Sequence, residues 1–121
     1  MPRLELPHGQ WIEVKDDMTV ADDDFKFGYA SDGINQDGRV NFNVVRHNVA
    51  RAAVRILATS LDDKWPKAGP DVRKQRALRV HGMASKVFDG IVKALDAFEQ
   101  AQAEEDAAAE KKADETVGEA A

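Results

Sequence analysis

Histidines, cysteines and clustered carboxylates do most of the chemistry in proteins, and this 121-residue chain has three histidines and no cysteine. The lack of cysteine excludes disulfides, thiolate zinc sites and cysteine nucleophiles within the sequence. His8, His47 and His81 do not have the i, i+4 spacing that places two imidazoles on one helix face for a metal ion. We therefore predict surface or capping roles for the histidines and no metal site.

The acidic clusters do not form a clear cation site either. Three successive aspartates occupy 22–24, and successive helical residues point about 100° apart, so they cannot converge on one ion. Segment 32–38 has the composition of a calcium loop, but Gly33 falls at its first ligand position and Val44 replaces the required glutamate. The chain also lacks a nucleophile elbow and a glycine-rich phosphate loop. These patterns predict a non-enzymatic protein that needs no cofactor.

Charge is distributed unevenly along the chain. Residues 39–82 hold ten Lys/Arg and three Asp/Glu, whereas residues 103–121 hold seven Asp/Glu and two lysines. Four-residue spacing places Arg51 and Arg55 on one helical stripe with His47. Three interpretations of this stripe stay open: a solvated helix face, a surface for an acidic partner that includes the chain's own tail, and a nucleic-acid surface. The stripe lacks the interleaved aromatics that stack on bases, so nucleic acid is the less favoured partner.

The N-terminal residues predict a β-hairpin over about 2–16. Leu4, Leu6, Ile12 and Val14 alternate with polar residues on either side of a turn composition at 7–10. A lone hairpin is marginal in water, so it must pack on an apolar surface. Trp11 falls on the opposite face, where it either covers the hairpin or packs against a helix.

Helical periodicity dominates the rest of the sequence. It predicts a short helix over about 20–30, a loop of about eight residues around two Asp-Gly turns, and helices over about 42–60, 72–81 and 83–101. The fold class is therefore mainly α, with the hairpin packed on a small bundle of three to four helices. Residues 1–102 form one small domain, and residues 103–121 form an acidic tail that is either disordered or a solvated helix.

Nothing in the sequence predicts membrane insertion. No apolar run approaches the roughly 18 residues needed to span a bilayer, and the first residues lack a signal-peptide core. These features predict a soluble, intracellular protein.

Segment 3–16, RLELPHGQWIEVKD, resembles the start of tail-assembly chaperones of long-tailed, siphovirus-type bacteriophages. Many of those proteins begin with a hairpin of the pattern Val/Leu-Glu-Leu-Pro-x-Gly-x-Trp. The later order of a helix, a Trp/Pro loop at 65–70, an amphipathic helix and an acidic tail is also similar.

This resemblance implies a chaperone in the host bacterial cytoplasm. Its partner would be the tape-measure protein, a very long helical protein whose apolar faces it shields until tail-tube subunits replace it. The expected contact surface is the outer face of the hairpin and the groove beside the last helix, with Trp11 and Phe98 as candidates. Arg46, Arg51 and Arg55 are further candidate binding residues, and homo-oligomerisation is possible.

Two other hypotheses remain open from the sequence. The first is a structural neck or tail protein, either a head-tail connector or a minor virion component. The second is a small DNA-binding regulator that uses Arg46, Arg51 and Arg55. An enzyme is the class that the sequence favours least.

Overall fold

The computed structural model of the chain describes residues 2–34 and 36–120, with the side chains of all of these except 32–34, 40 and 112–120. The described elements are, in chain order, β1 (Arg3–Glu5), β2 (Trp11–Val14), α1 (Val20–Ala30), β3 (Ser31–Ile34), β4 (Val40–Phe42), α2 (Val44–Arg55), β5 (Ile56–Thr59), α3 (Val72–His81) and α4 (Ser85–Ala120). The fold is mainly α, with an N-terminal hairpin packed on helices, which confirms the predicted fold class.

The N-terminal hairpin forms as its alternation predicts. β1 and β2 pair antiparallel with Leu4 opposite Ile12, and a short 3-10 turn over Pro7–Gly9 joins them. Ile12 and Val14 are fully buried because the inner face of β2 packs on the helices. Trp11 lies on the outer face and is half-buried.

The predicted helix over 42–60 is too long. α2 ends at Arg55, and Ile56 to Thr59 form β5, which pairs antiparallel with β2. The backbone of Ile56 is extended, and its side chain is buried. β5 thereby pairs with the edge of β2 that β1 leaves free. The backbone hydrogen bonds of this pairing outweigh the helical preference that the local apolar spacing indicates. The hairpin therefore becomes a three-stranded sheet in the order β1-β2-β5.

The segment around 31–42 is more ordered than the predicted loop. β3 and β4 pair antiparallel, with Ser31 opposite Phe42. Gly38 has a φ of 78°, a left-handed conformation that suits glycine in the connecting turn. The side chains of the calcium-like residues 32–35 lie outside the described part of the chain. The predicted short helix before this hairpin is confirmed as α1, which begins at a capping box between Thr19 and Asp22.

The last two helices close the core over the sheet. α3 spans the predicted residues and ends before Gly82, while Ile91 and Leu95 of α4 are fully buried. Trp65, from the loop before α3, is the buried tryptophan, and its indole N–H donates to the Ile56 carbonyl at 3.1 Å.

Beyond the core, α4 continues as a single helix into the acidic tail. Residues 103–111 are all exposed, as expected for a solvated helical extension. The predicted tail also includes the side chains of 112–120 and residue 121, which lie outside the described part of the chain. None of the helices in the described residues combines the length and the apolar character that crossing a membrane requires.

Candidate protein-binding surfaces

The arginine stripe of α2 lies in a seam against α4. Arg51 Nη2 donates to Asp96 Oδ1 and to Glu99 Oε2, each at 2.8 Å. Burial opposes the charge of Arg51, but the hydrogen bond that Arg51 donates to Asp96 and the charge of Glu99 raise its pKa above the ordinary arginine value. Since the guanidinium is largely buried, Arg51 joins two helices and does not form a solvated surface.

Arg55 makes the same kind of internal contact one turn later. Its Nη1 donates to the carbonyls of Lys15 and Asp16 at 2.8 and 2.9 Å, and its guanidinium carbon lies 5.4 Å from the centre of the Phe98 ring. Glu99 Oε1 lies 3.4 Å from Arg55 Nε. Phe98 is half-buried beside Arg55, so part of its ring is already covered by this chain's own residues.

The other two sequence candidates lie in different places. Arg46 Nε donates to the Tyr29 carbonyl at 2.7 Å, and the guanidinium lies over the Tyr29 ring at 4.4 Å. Trp11 is covered by Arg3, whose guanidinium carbon is 3.9 Å from the ring centre. The structure thus brings Arg51, Arg55 and Phe98 together but leaves Arg46 and Trp11 apart from them.

A buried carboxylate, Asp22, links three segments, a role that the sequence patterns did not indicate for it. It is only 1% exposed, forms an ion pair with Lys15, accepts from Arg73 Nε at 2.9 Å and accepts from the Thr19 backbone N–H at 3.0 Å. Burial alone would raise the pKa of Asp22, but the hydrogen bonds from Lys15, Thr19 and Arg73 together hold it well below its usual range. Asp22 therefore ties the segment after β2 to α1 and α3.

Basic residues of α3 also make contacts within the protein. Arg76 is buried, donates to the Pro66 carbonyl at 2.6 Å and lies 5.8 Å from the centre of the Trp65 ring. Burial and the nearby Arg73 lower the pKa of Arg76. Arg79 Nη1 lies 3.1 Å from Asp62 Oδ2. Much of the positive charge between 39 and 82 is thus engaged within the protein.

A set of exposed apolar side chains, which we call the apolar patch, comes from α1, β4 and the start of α2. Four large apolar side chains there are between 52% and 63% exposed: Phe27, Phe42, Val44 and Val45. Ser31 places two of the segments beside each other, because it pairs with Phe42 in the sheet and its hydroxyl donates to the Phe27 carbonyl at 2.7 Å. With about 150–250 Å² for each aromatic side chain, Phe27 and Phe42 together expose on the order of 200 Å², and the two valines add to this, so the exposed apolar area reaches the few hundred Å² that monomers rarely exceed in one patch.

His47 borders the apolar patch. Its ring centre lies 5.1 Å from that of Phe42 at an interplanar angle of 49°. Burial, followed by the charges of Lys26 and Arg51, lowers the pKa of His47 below the ordinary histidine value. The neutral form of the imidazole is therefore favoured, and it adds to the apolar character of this surface.

The apolar patch continues into a groove between α2, α3 and the start of α4. This groove has a volume of about 230 Å³. Its principal lining residues are Val45, Val49, Val80, His81, Met83 and Phe88. Val45 belongs to both features, so the apolar patch adjoins the groove at this residue.

A second cavity, which we call the turn cavity, lies between the hairpin turn and α4 and has a volume of about 190 Å³. Its apolar lining is Leu6, Pro7, Val87 and Gly90, and its polar lining is His8, Gln10 and Lys86. It corresponds to the predicted groove beside the last helix, although neither Trp11 nor Phe98 lines it.

Among the described residues, no group of three or more His, Asp or Glu side chains is placed to hold a metal ion. Comparison of the chain with protein-family models, curated proteins and solved structures gives no significant match. A function for this chain therefore rests on its own residues and on the resemblance of its first segment.

Proposed function

We propose that this chain is a non-enzymatic assembly chaperone that binds the tape-measure protein of a long-tailed bacteriophage and keeps it soluble during tail assembly. The observation that carries the proposal is the apolar patch and its continuation into the groove at Val45. The Leu4–Trp11 motif supports it independently, because it resembles the hairpin at the start of tail-assembly chaperones.

The shape and size of the surface suit a helical client. An amphipathic helix binds by laying its apolar side chains into a groove between helices, and the groove between α2, α3 and α4 has that form. The apolar patch is below the roughly 800 Å² per partner of a standard stable interface. We therefore expect weak, reversible contacts repeated along a long client, which tail-tube subunits can later replace.

The acidic extension of α4 supports the same role. Residues 103–111 are exposed and carry four acidic side chains and one lysine. Net charge on an exposed appendage opposes association of complexes with one another. A chaperone that covers an apolar client benefits from this, since the complex stays dispersed.

The DNA-binding alternative is less well supported. Phosphate contacts require basic side chains that are free to face a nucleic acid. Arg51 and Arg55 are instead buried against Asp96 and Glu99. A structural neck or tail protein remains the competing proposal, and mass spectrometry of purified virions separates the two, since a chaperone is absent or scarce there whereas a structural component is present at a fixed copy number.

Co-expression with a tape-measure protein, the long helical protein that the proposal names as client, tests the proposal. The wild-type chain should co-purify with that protein, and Val45→Asp should abolish co-purification because it places a charge in the centre of the apolar surface. Leu78→Asp is the matched control, since Leu78 is 61% exposed and lines a different cavity. Absence of a complex with the wild-type chain would refute the proposed function; equal loss with both variants would refute the assignment to the apolar patch.

A further inference from the structure

Gly90 lies inside α4, where a glycine destabilises the helix relative to alanine. Packing within the chain does not explain it. Among the described atoms, a Cβ at this position would meet only Pro7 Cδ, at 3.8 Å, which is an ordinary van der Waals contact. Because glycine has no side chain, the turn cavity is open on its α4 side at residue 90.

The opposite wall of the turn cavity has an unusual backbone. His8 adopts φ 63° and ψ 30°, a left-handed conformation that few residues other than glycine adopt, and Gly9 follows with φ 73°. Such positions concentrate at binding sites, where the surrounding fold maintains them. This turn holds Leu6 and Pro7 at one side of the cavity while Val87 lies at the other.

The charges at the cavity favour an acidic neighbour. Lys86 lines the cavity, is exposed and makes no ion pair with the described part of the chain. None of the seven described lining residues is acidic. The apolar wall accordingly suits an apolar group, and Lys86 suits a carboxylate beside that group.

We infer that the turn cavity receives one large apolar side chain of a partner helix that carries a carboxylate within one helical turn of that side chain. A cavity of about 150 Å³ accommodates a benzene ring, so the volume of about 190 Å³ fits a leucine, methionine or phenylalanine side chain. The inference rests on the proposed function, because the partner is the same class of amphipathic helix. It adds a second contact site with residues distinct from those of the apolar patch.

Nuclear magnetic resonance titration of the full chain tests the inference with synthetic peptides. The probe is an alanine-based helical peptide of about 18 residues, with one leucine flanked by glutamates three and four residues away. The matched probes replace the leucine by alanine or the glutamates by lysine. We expect saturable shifts at the amides of Gly90 and Gly9 with the first peptide, binding weaker by about tenfold with the alanine peptide, and binding weaker by about threefold with the lysine peptide.

Variants of the chain make the test specific. Gly90→Leu fills the cavity and should weaken binding of the first peptide by about tenfold or more. Gly28→Ala is the control, since Gly28 lies in α1, a Cβ added there would meet no atom within 4 Å, and binding should be unchanged. Circular dichroism checks that both variants are folded. A third variant, Lys86→Glu, should reverse the preference between glutamate and lysine peptides.

The inference is overturned if the leucine and alanine peptides shift the same amides equally, or if Gly90→Leu binds as well as the wild type. It is also overturned if the shifts occur only at the apolar patch. In each of these cases the chain can still co-purify with the long helical protein through Val45, so the proposed function is tested separately. Conversely, peptide binding at Gly90 without that co-purification would refute the proposed client while retaining the site.

Discussion

Asp22→Asn removes one negative charge from a side chain that three parts of the fold share. Asp22 is 1% exposed, whereas the side chains of its partners Lys15 and Arg73 are 24% and 37% exposed. Breaking a fully buried ion pair costs about 3–5 kcal/mol, and hydrogen bonds to charged groups contribute about 1.5–3 kcal/mol each. Because both cations keep partial access to water, we expect a loss of about 2–3 kcal/mol in the free energy of unfolding at pH 7.

The lowered pKa of the Asp22 carboxyl also makes the free energy of unfolding depend on pH. Its pKa is lowered in the folded protein, so an unfolded chain takes up the proton first as the pH falls. The stabilisation by Asp22 is therefore complete above the unfolded pKa, about 4, and is lost as the pH falls through the lower folded pKa. The difference between wild type and Asp22→Asn should be constant from pH 7 to about pH 5 and should shrink below about pH 4.

Urea unfolding followed by circular dichroism measures both effects. The matched control is Asp23→Asn, because Asp23 is the next residue of α1 and its side chain is 64% exposed in an ion pair with Lys26. That control should change the free energy of unfolding by no more than about 0.5 kcal/mol. If Asp22→Asn is as mild as Asp23→Asn, or if its effect persists unchanged at pH 3, the assignment of Asp22 as a charged link is refuted.

Three further changes test other parts of the structure by the same unfolding assay. Glu99→Gln should lower the free energy of unfolding by about 1–2 kcal/mol, since it weakens the partner of both Arg51 and Arg55; a change below about 0.3 kcal/mol would contradict this. Trp65→Phe should cost about 2–3 kcal/mol through the lost indole hydrogen bond and a small cavity, and a neutral result would exclude its place in the core. Deletion of 103–121 should leave the unfolding free energy within about 0.5 kcal/mol, because the described side chains of this segment are exposed; a larger loss would show that the tail supports the fold.

The sequence predicts elements well where local signals and tertiary contacts agree. α3 occupies the predicted residues and ends before Gly82, although the side chain of Asp71 makes no capping hydrogen bond at its start. The prediction fails at Ile56 to Thr59, where the apolar spacing continues that of α2 but pairing with β2 determines an extended strand. The β3–β4 hairpin is not predicted, although Asp37-Gly38 is a strong hairpin signal, because the two strands that flank it are short.

The candidate surface is only partly predictable. The arginines of α2 form one stripe in the sequence, but their burial depends on Asp96 and Glu99 of α4, more than forty residues later. Asp96 and Glu99 lie three residues apart in the sequence, and this acidic pair is the signal that could have indicated a partner for the arginine stripe. The apolar patch cannot be predicted, because whether Phe42 or Val45 is covered depends on how the helices and strands pack.

The most direct measurement is the soluble fraction of the long helical protein expressed with and without this chain at matched levels. We expect that protein to be largely insoluble alone and to become soluble, in a complex of defined stoichiometry, when the chain is present. An unchanged soluble fraction, with the chain eluting free of the helical protein in size-exclusion chromatography, would contradict the proposed chaperone function.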